Sequence, residues 1–372
     1  MEQAQNNRTN ETASPALPKP PWRGAFPLSS DYGRDVPESW LRETAPVVLD
    51  LLLVDRSTGG NIRWCTDDYA TLGEGFGCKD EITADRICGP EPIIRPRVDK
   101  GLDEQKARVS AKGEVFTPAW VCNAQNNLVD RKWFGKEVPI FNIVAKTGKE
   151  WTPTEKNDLW NIIKKNDTAR AYVSLVRMEM ACGEAPYLTS RYDAASGGSI
   201  AVANRIGLLD RKLRLVSDLA RDSKAKWIEN ARVALQSVYA FDWQGDNVLL
   251  ARENLLFATL EAFAARWTEV SGISLSVVEE FASILSWNVF QMDGVKFVVP
   301  DTCHDEAHTL PELQLGTAPP APTPCPGCES GDRRLHNGVR PLVVDWTKPV
   351  FEPRAVPFHE LFPAVAKGGA PA

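Results

Sequence analysis

Glu179-Met-Ala-Cys-Gly183-Glu-Ala-Pro-Tyr-Leu188 sets small residues around a single glycine, directly after an apolar run. Upstream, the alternation of Tyr172, Val173, Leu175 and Val176 predicts a buried strand entering this segment. Gly183 permits a tight turn with no Cβ in the way, and Ala181 and Ala185 leave room beside it. A turn of this kind at a strand's carboxyl end is where nucleotide-like cofactors approach the backbone. A plain strand-to-helix turn satisfies the same spacing, so the stretch needs a partner. Asp242 supplies one, because it closes the short apolar strand Val-Tyr-Ala-Phe241. A carboxylate at the end of the next strand can accept hydrogen bonds from ribose hydroxyls.

Around these two tips the chain alternates strands and helices, the pattern of an α/β sheet. Apolar positions recur at helical spacing over residues 216–237, and Val248 to Trp267 has no internal helix breaker. Val277 to Leu285 predicts another helix, while Val289-Phe290 and Phe297 to Val299 read as strands. On the amino side, a helix begins at Ala119 to Leu128, Val138 to Val144 reads as a strand, and Thr154 is placed to cap a helix through Lys165. The distance from Gly183 to Asp242 exceeds the roughly 20 residues usual in nucleotide-binding folds. An inserted helical segment, Asn204 to Ala225, fills the difference.

The chain has 372 residues, 43% hydrophobic and 25% charged, with a formal charge of −6. These are values of an ordinary globular protein, and phosphate binding would need a local basic face or a basic partner. The longest apolar stretch, Pro46 to Val54, is interrupted by Asp50 and is far short of the roughly 18–20 residues that span a bilayer. Met1 to Pro18 lacks the layout of a secretory signal, so a cytoplasmic protein without membrane partners is expected. Composition divides the chain into a disordered arm (1–40), a main domain (41–314), a linker rich in Pro, Ala and Thr (315–324) and a small carboxyl-terminal module (325–372). The polar and aromatic cluster Trp64 to Tyr69 reads equally as a surface feature or a strand end.

Two further features carry chemistry. Arg205, Arg211, Lys212, Arg214, Arg221, Lys224 and Lys226 outnumber the acids in the inserted segment. They could follow a DNA backbone, although the interleaved Asp210, Asp218 and Asp222 favour a solvated helix face. Eight cysteines without a signal read as reduced thiols or metal ligands. Cys325-Pro-Gly-Cys328 has knuckle spacing for zinc, with Cys303 and His336 as the best further ligands and His304 and His308 as competitors. A pair of reduced thiols in a loop is the alternative. A zinc held by four protein ligands would be structural.

The sequence resembles the adenine-N6 DNA methyltransferases of restriction systems. In that family the cofactor strand ends in Asp-Pro-Ala-Cys-Gly-x-Gly. Ala181-Cys-Gly183 matches its centre, while Glu179, Met180 and Ala185 depart from it. Gly113-Glu-Val-Phe-Thr-Pro118 matches the motif that precedes it, and Asp242 with Ala251-Arg-Glu-Asn-Leu255 reproduces the spacing of the next. Similarity to chains labelled restriction endonuclease subunit M extends through Asn61 to Tyr69, Cys122 to Asn127, Ile206 to Lys212 and Trp287 to Gly294, covering roughly residues 60–345. The resemblance implies a Rossmann-like S-adenosylmethionine-dependent methyltransferase fold with an amino-terminal extension and a zinc-ribbon-like tail. It implies S-adenosylmethionine as cofactor, DNA as substrate and a second restriction-modification subunit as partner. By the same resemblance Phe116, Thr117 and Pro118 line the methionine side, Cys182, Gly183 and Glu184 meet the sugar and sulfonium, and Asp242 meets the ribose. Trp243 stacks on the adenine ring, and Asp293 accepts from the adenine amino group. Plain core and a simple turn are the alternatives for those last two.

The family's catalytic tetrapeptide, Asn/Asp-Pro-Pro-Tyr/Phe, is absent from the chain. Its acceptors hold the adenine amine, whose lone pair is conjugated with the ring. Pro20-Pro21-Trp22 is preceded by Lys19, a donor where an acceptor is required, and Pro319-Pro320-Ala321 has neither acceptor nor aromatic ring. Asp345-Trp-Thr-Lys-Pro-Val-Phe351 lacks the double proline. The catalytic residues are therefore unknown, and a non-catalytic DNA-binding or scaffold subunit is the alternative function.

Overall fold

A computed structural model describes residues 17–100, 117–306, 322–349 and 354–362. Its elements are β1 (Ala25–Pro27), α1 (Glu38–Thr44), α2 (Pro46–Leu53), α3 (Ala84–Ile87), α4 (Ala119–Phe134), β2 (Asn142–Val144), β3 (Trp151–Pro153), α5 (Lys156–Ile163) and α6 (Asn166–Val173). There follow β4 (Arg177–Met180), α7 (Leu208–Ala220), α8 (Lys224–Gln236), β5 (Val238–Asp242), α9 (Gly245–Arg266), β6 (Gly272–Ser274), α10 (Leu275–Asn288) and β7 (Val289–Gln291). The tail holds α11 (Pro326–Ser330), β8 (Leu342–Val344), β9 (Ala355–Pro357) and α12 (Phe358–Leu361).

The protein is mixed α/β, and its central sheet is parallel, in the order β4-β5-β7. Parallel neighbours cannot be joined by a hairpin and require a crossover. Here α7 and α8 lie in the chain between β4 and β5, and α9 and α10 between β5 and β7. Met180 pairs with Phe241 and Asp242 with Gln291, so three strands end side by side. Smaller antiparallel pairs are β1 with β6, β2 with β3 and β8 with β9. Among the described residues no helix is long and apolar enough to cross a membrane.

Helix α9 runs through the core and is buried from Gly245 to Ala264. A helix buried all round must answer its polar side chains internally. Arg252 does so by donating to the carbonyls of Leu52, Val54, Ser286 and Val289. Glu261 takes both Arg191, at 2.9 Å, and Arg205, at 2.6 Å.

Several expectations are corrected by this arrangement. The arm expected to stay disordered to residue 40 is packed from Ala25 onward, and residues 1–16 lie outside the described residues. β1 pairs with β6, Phe26 and Tyr32 are buried, and Tyr32 N–H donates to Glu261. A few large apolar side chains suffice to anchor a polar segment. The strand expected over 172–176 begins only at Arg177. Tyr172 and Val173 close α6, where the Tyr172 ring packs against Trp133, Phe134 and Phe141 and its hydroxyl donates to Asp130. Two apolar pairs separated by Ser174 fit either period, and tertiary packing decides. Phe297 to Val299 is a turn with Phe297 at a φ of 56°, and α5 starts at Lys156 without a cap from Thr154.

The basic stretch is neither a DNA-facing stripe nor a solvated face in its first half. Arg211 and Lys212 are buried, with Arg211 paired to Asp130 at 2.6 Å and Lys212 donating to the Leu175 carbonyl and Ser237 hydroxyl. The expected linker lies almost wholly outside the described residues. The tail beyond it is not a separate body: Phe358 packs among Phe241, Phe290 and Phe297, joining the sheet's own core.

Candidate functional site

The carboxyl ends of β4, β5 and β7 gather most of the predicted cofactor residues. Gly183 N–H donates to Asp242 Oδ2 at 2.8 Å, and Cys182 N–H to the Phe241 carbonyl at 2.9 Å. The loop after β4 and the carboxylate after β5 therefore meet, as their positions in the sequence required. The loop is unusually wound: Ala181, Gly183 and Ala185 have φ of 49°, 54° and 60°. Glycine enters the left-handed region freely, but two alanines there store strain of about 1–3 kcal/mol each. Glu179 helps hold them, accepting from Tyr187 N–H and Leu188 N–H.

Asp242 is buried and also accepts from Gln244 N–H at 3.1 Å and from the Asn247 side-chain amide at 3.0 Å. Burial raises its pKa, opposed by these donors and by Arg97. A carboxylate offers about four acceptor sites. Three are taken by the protein. Next in the chain, Trp243 is 39% exposed while its Nε1 is fixed by the Cys65 carbonyl at 3.0 Å. The Trp64 to Tyr69 segment is thus assigned to the rim of this site: Tyr69 hydroxyl donates to Asp246 at the start of α9.

The other predicted residues are placed less openly. Glu184 accepts from Arg97 N–H at 2.6 Å and Tyr192 hydroxyl at 2.5 Å, and faces inward. Cys182 is buried, and burial pushes its thiol well above the usual range, so it is an inert neutral group. Asp293 follows β7, and Met292 N–H donates to the Asp242 carbonyl at 3.0 Å. Asp293 Oδ1 accepts from Val295 N–H and Lys296 N–H, which makes it the cap of a turn. Thr117 and Pro118 lead into α4, whose Ala119 N–H donates to Asp193. Phe116 lies outside the described residues.

Residues that sequence reasoning missed are Arg97, Asn247 and Glu179. Arg97 comes from a segment with no motif, yet its guanidinium would lie 3.5 Å from a Cβ added at Gly183 and it bonds Asn247. Asn247, five residues after Asp242 and in the first turn of α9, carried a usable signal.

A second centre joins Cys303, ahead of the linker, to three residues of the tail. The donor atoms of Cys303, Cys325, Cys328 and His336 all lie within 4.8 Å of one another. His336 Nδ1 is 3.5 Å from Cys303 Sγ and 3.7 Å from both Cys325 Sγ and Cys328 Sγ. A tetrahedral ion with metal–sulfur and metal–nitrogen bonds of about 2.3 and 2.0 Å requires nitrogen–sulfur edges of about 3.5 Å. The cluster meets that requirement and could hold a metal ion such as zinc. Gly327 makes it possible, since a Cβ there would stand 2.4 Å from the His336 backbone nitrogen and 2.6 Å from its Nδ1. Burial opposes ionisation of Cys325, but N–H donors from Asn337, Cys328 and Gly327 together with His336 bring its thiol down to about 6. His304 points away and contacts the Thr302 carbonyl, and His308 lies outside the described residues.

No family model, curated protein or solved structure matches the chain.

Proposed function

We propose that this chain is an S-adenosylmethionine-binding, methyltransferase-like modification subunit of a restriction-modification system, with a Rossmann-like core. One observation carries the reading: the Gly183 loop and Asp242 meet at adjacent parallel strand ends. Asp242 has one acceptor position left for a ribose hydroxyl, and Trp243 offers the adenine ring a surface. When bound, the cofactor supplies an electrophilic methyl group; the protein's part is to bind and orient. DNA and a partner subunit belong to the reading, as does adenine N6 as target. A structural zinc on Cys303, Cys325, Cys328 and His336 completes it.

The absence of an Asn/Asp-Pro-Pro-Tyr/Phe loop favours a second reading, a non-catalytic scaffold that keeps the fold. Asp293, the acid at the end of β7, already caps its own turn. Calorimetric titration of the full chain with S-adenosylmethionine, followed by tritiated methyl transfer to DNA with and without co-purifying chains, separates the two. Binding that Trp243→Ala weakens roughly tenfold or more supports the cofactor site. Binding without transfer under any condition selects the scaffold, and no binding removes both the site and the enzyme.

A further inference from the structure

A cavity of about 320 Å³ lies between α7 and α9, away from both centres described above. Ala258, Ala262 and Ala265 line it at helical spacing from α9, and Leu213 and Ser217 do so from α7. The small α9 alanines leave a gap opposite α7 that side chains do not fill, and Phe141 is part of its lining. Volumes of this size lie at the lower end of small-molecule pockets.

The charges around it are unbalanced. Five cationic side chains and two carboxylates line the wall. Arg211 is matched by Asp130 and Lys156 by Asp218. Arg205 is not fully matched: its side chain is 5% exposed, and it shares Glu261 with Arg191. Its Nη1 is buried with no acceptor among the described residues. Arg214 donates only to the carbonyls of Phe141 and Thr154, without a carboxylate at ion-pair distance among the described residues. A buried guanidinium N–H without an acceptor is costly, as at Arg205 Nη1, and each guanidinium presents a planar fork suited to a carboxylate.

We propose that this cavity binds a small amphipathic carboxylate, with its apolar body against Phe141, Leu213 and the α9 alanines and its anionic end toward Arg205 and Arg214. The apolar half of the wall argues against a bare inorganic anion, which would leave that surface unpaired. The site is independent of the cofactor reading.

The test is calorimetry and thermal unfolding of the full chain with benzoate, with its neutral isostere benzamide, and with inorganic phosphate at matched ionic strength. Benzoate should bind and raise the melting temperature with concentration, with benzamide weaker by roughly tenfold or more. Phosphate should have no effect. Ala262→Leu, which fills the cavity, should abolish the benzoate response while the ligand-free protein unfolds at or above its original temperature. Arg214→Met, which keeps the apolar stem, should weaken benzoate roughly tenfold, with Arg214→Lys recovering part of it. The proposal is overturned if benzoate does not bind, if benzamide or phosphate binds equally well, or if benzoate still binds a folded Ala262→Leu protein unchanged.

Discussion

At the ends of β4 and β5 nearly every predicted polar group is answered by the protein itself, whereas at the second centre three thiols and an imidazole crowd together. Asp242 takes three internal donors and Glu184 takes two. Such a site holds its shape without a ligand. Thiols are weak donors and weak acceptors, so four of these donor atoms within 4.8 Å gain little from one another. That arrangement makes sense around an ion. Predicted residues can therefore converge for two different reasons, and the balance of donors and acceptors tells them apart.

Metal loss should produce the largest effect. Freshly purified protein is expected to carry about one equivalent of zinc per chain, measured by plasma mass spectrometry. Cys325→Ser or a strong chelator should remove it. The cost should be several kcal/mol yet below the roughly 10–16 kcal/mol of isolated zinc fingers, because Phe358 and Val343 already pack on the sheet. The loss should spread along Arg340, which donates to the His336 carbonyl and to those of Lys296 and Phe297 beside the β7 tip. Limited proteolysis should then cut near residues 296–303. A metal-free protein whose melting temperature ignores chelator would end the comparison on this side.

Asp242→Ala comes next. It strips the acceptor from Gly183 N–H, Gln244 N–H and the Asn247 amide at once, at a cost of about 3–5 kcal/mol in urea unfolding. The strained Ala181 to Ala185 turn loses its anchor in the same step. A cost under about 1 kcal/mol would mean that the carboxylate is not the structural hub its bonds suggest. This expected loss is why Trp243, held by one edge, is the better probe of cofactor affinity.

How much of this could be read from the sequence depends on how local the signal is. Cys325-Pro-Gly-Cys328 and the more distant Cys303 and His336 were legible, since metal-ligand chemistry restricts residue type so strongly. The meeting of Gly183 with Asp242 was legible because a strand end fixes both. The helices α9 and α10 followed from long runs of helix-forming residues with no internal breaker. By contrast, Arg211 and Lys212 looked like surface charge, and only Asp130 on distant α4 and the Leu175 carbonyl explain their burial. Arg97 had no motif at all. The anchoring of residues 25–40 depends on β6 and Glu261, more than 200 residues away, which local composition does not record.

The subtlest difference between the two centres is in their response to pH. Burial lifts the Glu179 carboxyl from 4.5 to about 8, only partly opposed by the Tyr187 and Leu188 N–H groups, with Asp242 adding to the rise. A group whose folded pKa lies above its unfolded value binds more protons in the native state. Its stabilising contribution is complete below about pH 4.5 and is lost as pH rises toward 8. Asp35 and Glu38, raised to about 7 and about 8 chiefly by burial, act in the same direction. The wild-type protein should therefore lose stability between pH 5 and pH 8, with the Glu179 share on the order of 2–3 kcal/mol. Glu179→Gln keeps an acceptor for the loop and removes the titration, so the difference between variant and wild type should grow in the variant's favour as pH rises. Metal binding has the opposite slope, because thiols and imidazole must lose their protons to coordinate. Unfolding curves of both proteins, metal-loaded, across that range would show the two trends separately. A pH-independent difference between wild type and Glu179→Gln would mean that Glu179 is ionised in the native loop, and that the turn is held by charge and not by a neutral carboxyl.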